Sequence, residues 1–102
     1  MFLEDVNEPA WRIERSLYHL SQAGMFENCR AVLFGDFLGA DRVTMRQGGY
    51  DFLTALTRFA KARPDLRIVT GLPIGHGARR ETLPVGAELR LASDGRVVTL
   101  SK

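Results

Sequence analysis

Cysteine is nearly absent from this chain. Cys29 stands alone among 102 residues, so no internal disulfide can form. A single thiol fits a reducing compartment but does not by itself fix a location. Long hydrophobic runs are missing as well: no apolar stretch approaches the ~18 residues that a membrane span requires. The segment Met1-Phe2-Leu3-Glu4-Asp5-Val6 has no basic region ahead of a long apolar stretch, so it does not read as a signal peptide. Charge of one sign is not in excess. Lys and Arg number 14 against 12 Asp and Glu, a formal net charge of +2, which gives little argument for a nucleic-acid or membrane partner. Histidine is scarce, with only His19 and His76, and no spacing resembles a zinc motif. Neither phosphate-loop pattern occurs, since there is no G-x-x-x-x-G-K-[ST] and no G-x-G-x-x-G after a strand. No metal or cofactor is expected.

What is present is an ordinary globular composition, 45% hydrophobic and 25% charged. The length suits one domain over residues 1–102. A chain of this size buries roughly 60–70% of its unfolded surface, enough for one core.

The pattern along the chain alternates. Phe2 to Val6 has the length and composition of a short strand, entered so abruptly that a further segment upstream is expected. Pro9 suits the first turn of a helix. From Pro9 to Ala23 the apolar residues Ala10, Ile13, Leu17 and Leu20 recur at helical spacing, and Gly24 is placed to cap the end. Arg30 to Phe34 reads as a buried strand bounded by Gly35. Residues 35–49, with Gly39, Gly48 and Gly49 among polar neighbours, read as irregular. Tyr50 to Arg63 predicts a second helix, with Leu53, Leu56 and Ala60 in one stripe, Phe52 and Phe59 beside it, and Pro64 ending it. Leu66 to Val69 is a third strand. Glu88 to Ala92 and Arg96 to Leu100 alternate around Ser93-Asp94-Gly95, a hairpin signal. The expected fold is α/β: a small mixed sheet with crossover helices and a C-terminal β-hairpin.

The third strand runs into Gly71-Leu72-Pro73-Ile74-Gly75-His76-Gly77. A histidine between two glycines at a strand end has two open readings. It is a general base, because imidazole titrates near neutral pH and catalytic groups concentrate on such loops, or it is an exposed histidine capping a turn. In a parallel crossover arrangement the carboxyl ends of the first and third strands lie on one side of the sheet. That brings Glu4 or Asp5 towards His76. A carboxylate there can fix the imidazole tautomer and steady the imidazolium. Asp5 is shorter and nearer Pro9, which suits it to capping the following helix. Glu4 is therefore the candidate orienter.

A nucleophile is missing. Ser16 and Ser21 fall on a predicted helix, Ser93 in a hairpin turn and Ser101 at the tail, and none sits in a G-x-S-x-G elbow. Cys29, ahead of a strand, reads as a buried, inert thiol. Arg42, Arg46, Arg79 and Arg80 could form a basic patch, with a solvated face as the plainer reading.

Three functional classes remain open on these residues: part of a hydrolase, a non-catalytic domain that self-associates or binds a partner through a bare surface, and a small basic nucleic-acid module.

Several segments in order resemble one family. Phe2 through Pro9, Arg12-Ile13-Glu14-Arg15, and Leu20 through Ala23-Gly24 are similar to the start of the C-terminal, swivelling-type domain of LD-carboxypeptidases. These are serine peptidases of the muramoyltetrapeptide carboxypeptidase type. Leu33-Phe34-Gly35-Asp36-Phe37, Thr70 through His76, and Leu83 through Ala87 continue the resemblance. It implies a Ser-Glu-His triad in which Glu4 and His76 are the catalytic glutamate and histidine. It also implies that the serine lies on an N-terminal domain, absent here, so that this chain alone is inactive. The reaction implied is removal of terminal D-alanine from cytoplasmic murein tetrapeptide during cell-wall recycling, by enzymes that are commonly homodimers. A related branch cleaves peptide–nucleotide antibiotics and confers immunity.

Overall fold

Alternating strand and helix patterns build a parallel sheet with helices packed on one face. The computed structural model describes residues 1–47, 49–94 and 96–99. The elements in order are β1 (Phe2–Val6), α1 (Ala10–Gln22), β2 (Ala31–Leu38), α2 (Ala40–Gln47), α3 (Phe52–Ala62), β3 (Arg67–Val69), β4 (Leu89–Leu91) and β5 (Val97–Thr99). β2 is the middle strand, with β1 and β3 parallel to it on either side. Their carboxyl ends therefore share one edge, as the sequence predicts.

α1 forms where its spacing predicts. Ala10, Ile13 and Leu17 are buried along one stripe. Pro9 takes the N-cap position without a side-chain cap. The Ala10 N–H instead donates to Thr44 Oγ1 of α2 at 2.9 Å, inside the core. The far end closes in a Schellman motif: Gly24 N–H bonds Ser21 O, and Met25 N–H bonds Leu20 O.

α3 is capped by Asp51, whose carboxylate accepts from the Thr54 N–H and hydroxyl. Those two bonds, the hydroxyl first, hold the Asp51 carboxyl below its ordinary pKa. The stripe that α3 buries is Ala55, Leu56 and Phe59, not the expected Leu53, Leu56 and Ala60; Leu53 is exposed. Both sets have helical spacing and share Leu56. The aromatic side decides: Phe34 of β2 meets Phe52 and Phe59 edge-on, and Phe37 stacks on Phe52 at 4.7 Å between centroids.

Two further expectations change. β2 runs on through Gly35 to Leu38, because its later residues pair with Asp5 and Val6 of β1. Part of the stretch expected to be irregular is the helix α2. Gly39 (φ 81°) makes the turn that precedes it, and Ala40 and Thr44, four apart, are its buried face.

The hairpin strands β4 and β5 pair antiparallel with each other as a separate two-stranded sheet and do not extend the parallel one. Strands of both directions are present, but in two sheets. Leu89 and Leu91 line a pocket with Leu33, and Arg67 of β3 donates to the Ala92 carbonyl. The hairpin is thus held by side-chain contacts, not by a shared ladder. Gly48 of the stretch read as irregular, Gly95 of the predicted turn, Leu100, and Ser101 at the tail lie outside the described residues.

Candidate active site

The two strand faces divide the labour. Val32 and Phe34 join the core cluster with Ile13, Leu17, Leu56 and Phe59. Residues of opposite parity, Leu33 and Gly35 on β2 with Phe2 on β1, belong to the other face. The segment after β3 crosses that face. It leaves β3 and passes over β2 at backbone contact. Leu72 N–H bonds Phe34 O at 3.3 Å, and Asp36 N–H bonds Ile74 O at 2.7 Å. A Cβ on Gly35 would collide with the Ile74 carbonyl oxygen, so only glycine permits this approach.

Crossing β2 delivers the loop to β1. Here the ladder is irregular: Leu3 pairs with Phe34, but Asp5 pairs with Phe37, so Glu4 alone faces Gly35 and Asp36. A bulge re-aims side chains locally. Glu4 meets the incoming loop, and His76 Nδ1 lies 3.2 Å from Glu4 Oε2. Gly75 (φ 128°) has Glu4 Oε2 and the Asp36 Cβ at 3.0 and 3.1 Å from where its own Cβ would stand. The His76 side chain is 60% exposed and that of Glu4 is 30% exposed.

A carboxylate only accepts, so the hydrogen of this pair belongs to Nδ1. In the neutral ring the lone pair then sits on Nε2. No described residue bonds Nε2. The arrangement can accept a proton at Nε2 and balance the resulting imidazolium with the Glu4 carboxylate.

Asp5 does not cap α1. Its carboxylate accepts from the adjacent Val6 N–H at 2.8 Å, and Thr44 serves the helix start instead. Ser16 and Ser21 are on α1 and Ser93 is in the hairpin turn; none bonds His76. Cys29 is half-buried, its thiol donating to Ala31 O. Arg42 of the suggested basic patch donates to Asn7 Oδ1 at 2.7 Å. Among the described residues no group of three His, Cys, Asp or Glu could hold a metal. No described helix is long and apolar enough to cross a membrane.

Sequence reasoning did not single out one residue that bonds the loop carrying His76. Asp36 Oδ2 accepts from the Gly77 N–H at 3.0 Å. Asp36 lies in the segment Leu33-Phe34-Gly35-Asp36-Phe37, and its position just after a strand glycine is the only signal of it in the sequence.

Comparison with known proteins agrees with this architecture. The crystal structure of muramoyltetrapeptide carboxypeptidase from Oxalobacter formigenes superposes with a TM-score of 0.79 at 34% identity, covering 94% of this chain and 33% of that one. Murein tetrapeptide carboxypeptidase of Pseudomonas aeruginosa is 30% identical over 86 residues, 84% of this chain and 27% of its own length. A Rickettsia conorii protein whose name assigns it to the carboxypeptidases is 51% identical over 37 residues, 36% of this chain and 12% of its own. The chain thus spans a third or less of the length of these relatives. The family model described as the LD-carboxypeptidase C-terminal domain matches residues 1–91, and the chain belongs to that family.

Proposed function

We propose that this domain supplies the general base and its orienting carboxylate to a serine LD-carboxypeptidase. The nucleophilic serine is carried on a domain N-terminal to this one. The observation that carries the reading is the 3.2 Å contact between His76 Nδ1 and Glu4 Oε2, which leaves Nε2 open to a partner. The serine hydroxyl attacks the scissile carbonyl as its proton passes to His76 Nε2. Glu4 holds the ring and balances the imidazolium. Nε2 then returns the proton to the leaving amine as the C–N bond breaks, giving an acyl-enzyme. Water attacks that ester with His76 again taking the proton, and the serine is released.

The substrate is murein tetrapeptide and the leaving amine is its terminal D-alanine. The names of the Pseudomonas and Oxalobacter relatives favour this over a peptide–nucleotide antibiotic. The complete enzyme works in the cytoplasm, where an unpaired Cys29 is at home, and as a homodimer. The hydrolysis does not belong to this domain alone.

Joining this chain to the serine-bearing N-terminal domain of the Pseudomonas relative tests the substrate. Free D-alanine released from murein tetrapeptide, with a peptide–nucleotide left intact, is the expected result. Cleavage of the peptide–nucleotide alone overturns the choice of substrate.

A further inference from the structure

His76 is exposed, stands on a segment with no regular secondary structure, and has a single side-chain bond among the described residues. A ring so placed does not hold its orientation by itself, because the net gain from one hydrogen bond at a wet site is smaller than the entropy lost in fixing the backbone residues that carry it. Something else must fix the backbone on either side of it.

One residue does both. The Asp36 N–H donates to Ile74 O at 2.7 Å, two residues before His76. The Asp36 carboxylate accepts from the Gly77 N–H at 3.0 Å, one residue after it. Its Cβ also abuts Gly75. Asp36 is part of the bulge opposite Glu4, so the strand irregularity that presents Glu4 also anchors the loop that presents His76.

We infer that Asp36 is a positioning residue for the base: it clamps the backbone on both sides of His76 and so keeps Nδ1 directed at Glu4. This rests on the proposed triad for its effect on rate, but not for its effect on the ring. The carboxylate acts as an acceptor from a backbone amide; its charge is not needed. Asp36→Asn, whose amide oxygen can still accept from Gly77, is therefore the conservative rescue, and Asp36→Ala removes the clamp.

The test reads the His76 tautomer in this chain by long-range ¹⁵N NMR, at a pH where the ring is neutral, together with hydrogen exchange at the Gly77 amide. Wild type and Asp36→Asn are expected to hold the Nδ1–H form with a protected Gly77 amide. Asp36→Ala is expected to lose both, matching Glu4→Gln in the tautomer, while the core amides keep their shifts. If Asp36→Ala does not fold, Asp36→Val is read in its place, since its β-branched side chain suits a strand and carries no acceptor for the Gly77 amide. An unchanged tautomer in the variant without the clamp overturns the inference.

A second readout is the rate of the joined two-domain enzyme. Asp36→Ala should lower kcat about 10²-fold with KM held within about twofold, the cost of a misplaced catalytic group. A lost tautomer with full kcat would leave the clamp standing and sink the catalytic reading. A kcat lowered as much in Asp36→Asn as in Asp36→Ala would sink the clamp.

Discussion

Gly35 and Ile74 touch through backbone alone: the strand glycine leaves the space that the Ile74 carbonyl oxygen occupies. This contact lets the loop cross β2 and reach β1, so it governs whether Glu4 and His76 meet. Gly35→Ala is expected to lift the loop. Stability should fall by about 1–3 kcal/mol, the usual cost of overpacking, and the Gly77 amide should lose its protection. Urea unfolding and hydrogen exchange check this. Wild-type protection in the variant would mean that the loop does not depend on the crossing.

Thr44 links the start of α1 to α2. Replacing it with Val keeps the shape and removes the acceptor, leaving the Ala10 N–H buried without a partner. The expected cost is about 1–3 kcal/mol by chemical denaturation. Thr44→Ser should recover most of it, because the hydroxyl is retained.

Phe34 is fully buried and touches the rings of Phe37, Phe52 and Phe59. Phe34→Ala is expected to cost about 3–5 kcal/mol. That is a large part of the 5–15 kcal/mol typical of a small domain. Loss of the cooperative unfolding transition near room temperature, followed by circular dichroism, is the expected outcome.

Asp51 carries a pH dependence. Its carboxyl pKa is lowered in the folded chain, chiefly by the Thr54 hydroxyl and then by the Thr54 amide. A group depressed on folding stabilises above its unfolded pKa, and that contribution disappears as pH falls through the folded value. Asp51→Ala should therefore lower Tm at neutral pH, and the gap from wild type should narrow in acid below the ordinary carboxylate range. A gap that stays constant with pH would assign the effect to helix propensity alone. Thermal melts at two pH values distinguish these.

Much of this was legible in the sequence. The period of Ala10, Ile13 and Leu17 predicts α1, and the crossover order predicts that the carboxyl ends of β1 and β3 share an edge. Glycine misleads in two opposite ways. Gly35 resembles a strand stop, yet β2 passes through it because a loop needs its missing side chain. Gly39 resembles part of a long irregular stretch, yet it is only the turn before α2. The buried stripe of α3 is chosen by the aromatic residues of β2, which no local pattern on the helix reveals. Asp36 is marked only by its place after Gly35, for a related reason: its partner is a backbone amide 41 residues away, and backbone amides leave no mark on a sequence.

The central claim is that Glu4 and His76 work as a pair on a serine from another domain. The direct measurement is D-alanine release from murein tetrapeptide by this chain joined to a serine-bearing N-terminal domain of the family. The wild-type chimera should hydrolyse the substrate. His76→Ala should abolish the activity, and Glu4→Gln should reduce it by roughly 10⁴-fold, as loss of the orienting carboxylate does in a triad. Activity that survives His76→Ala unchanged would contradict the account.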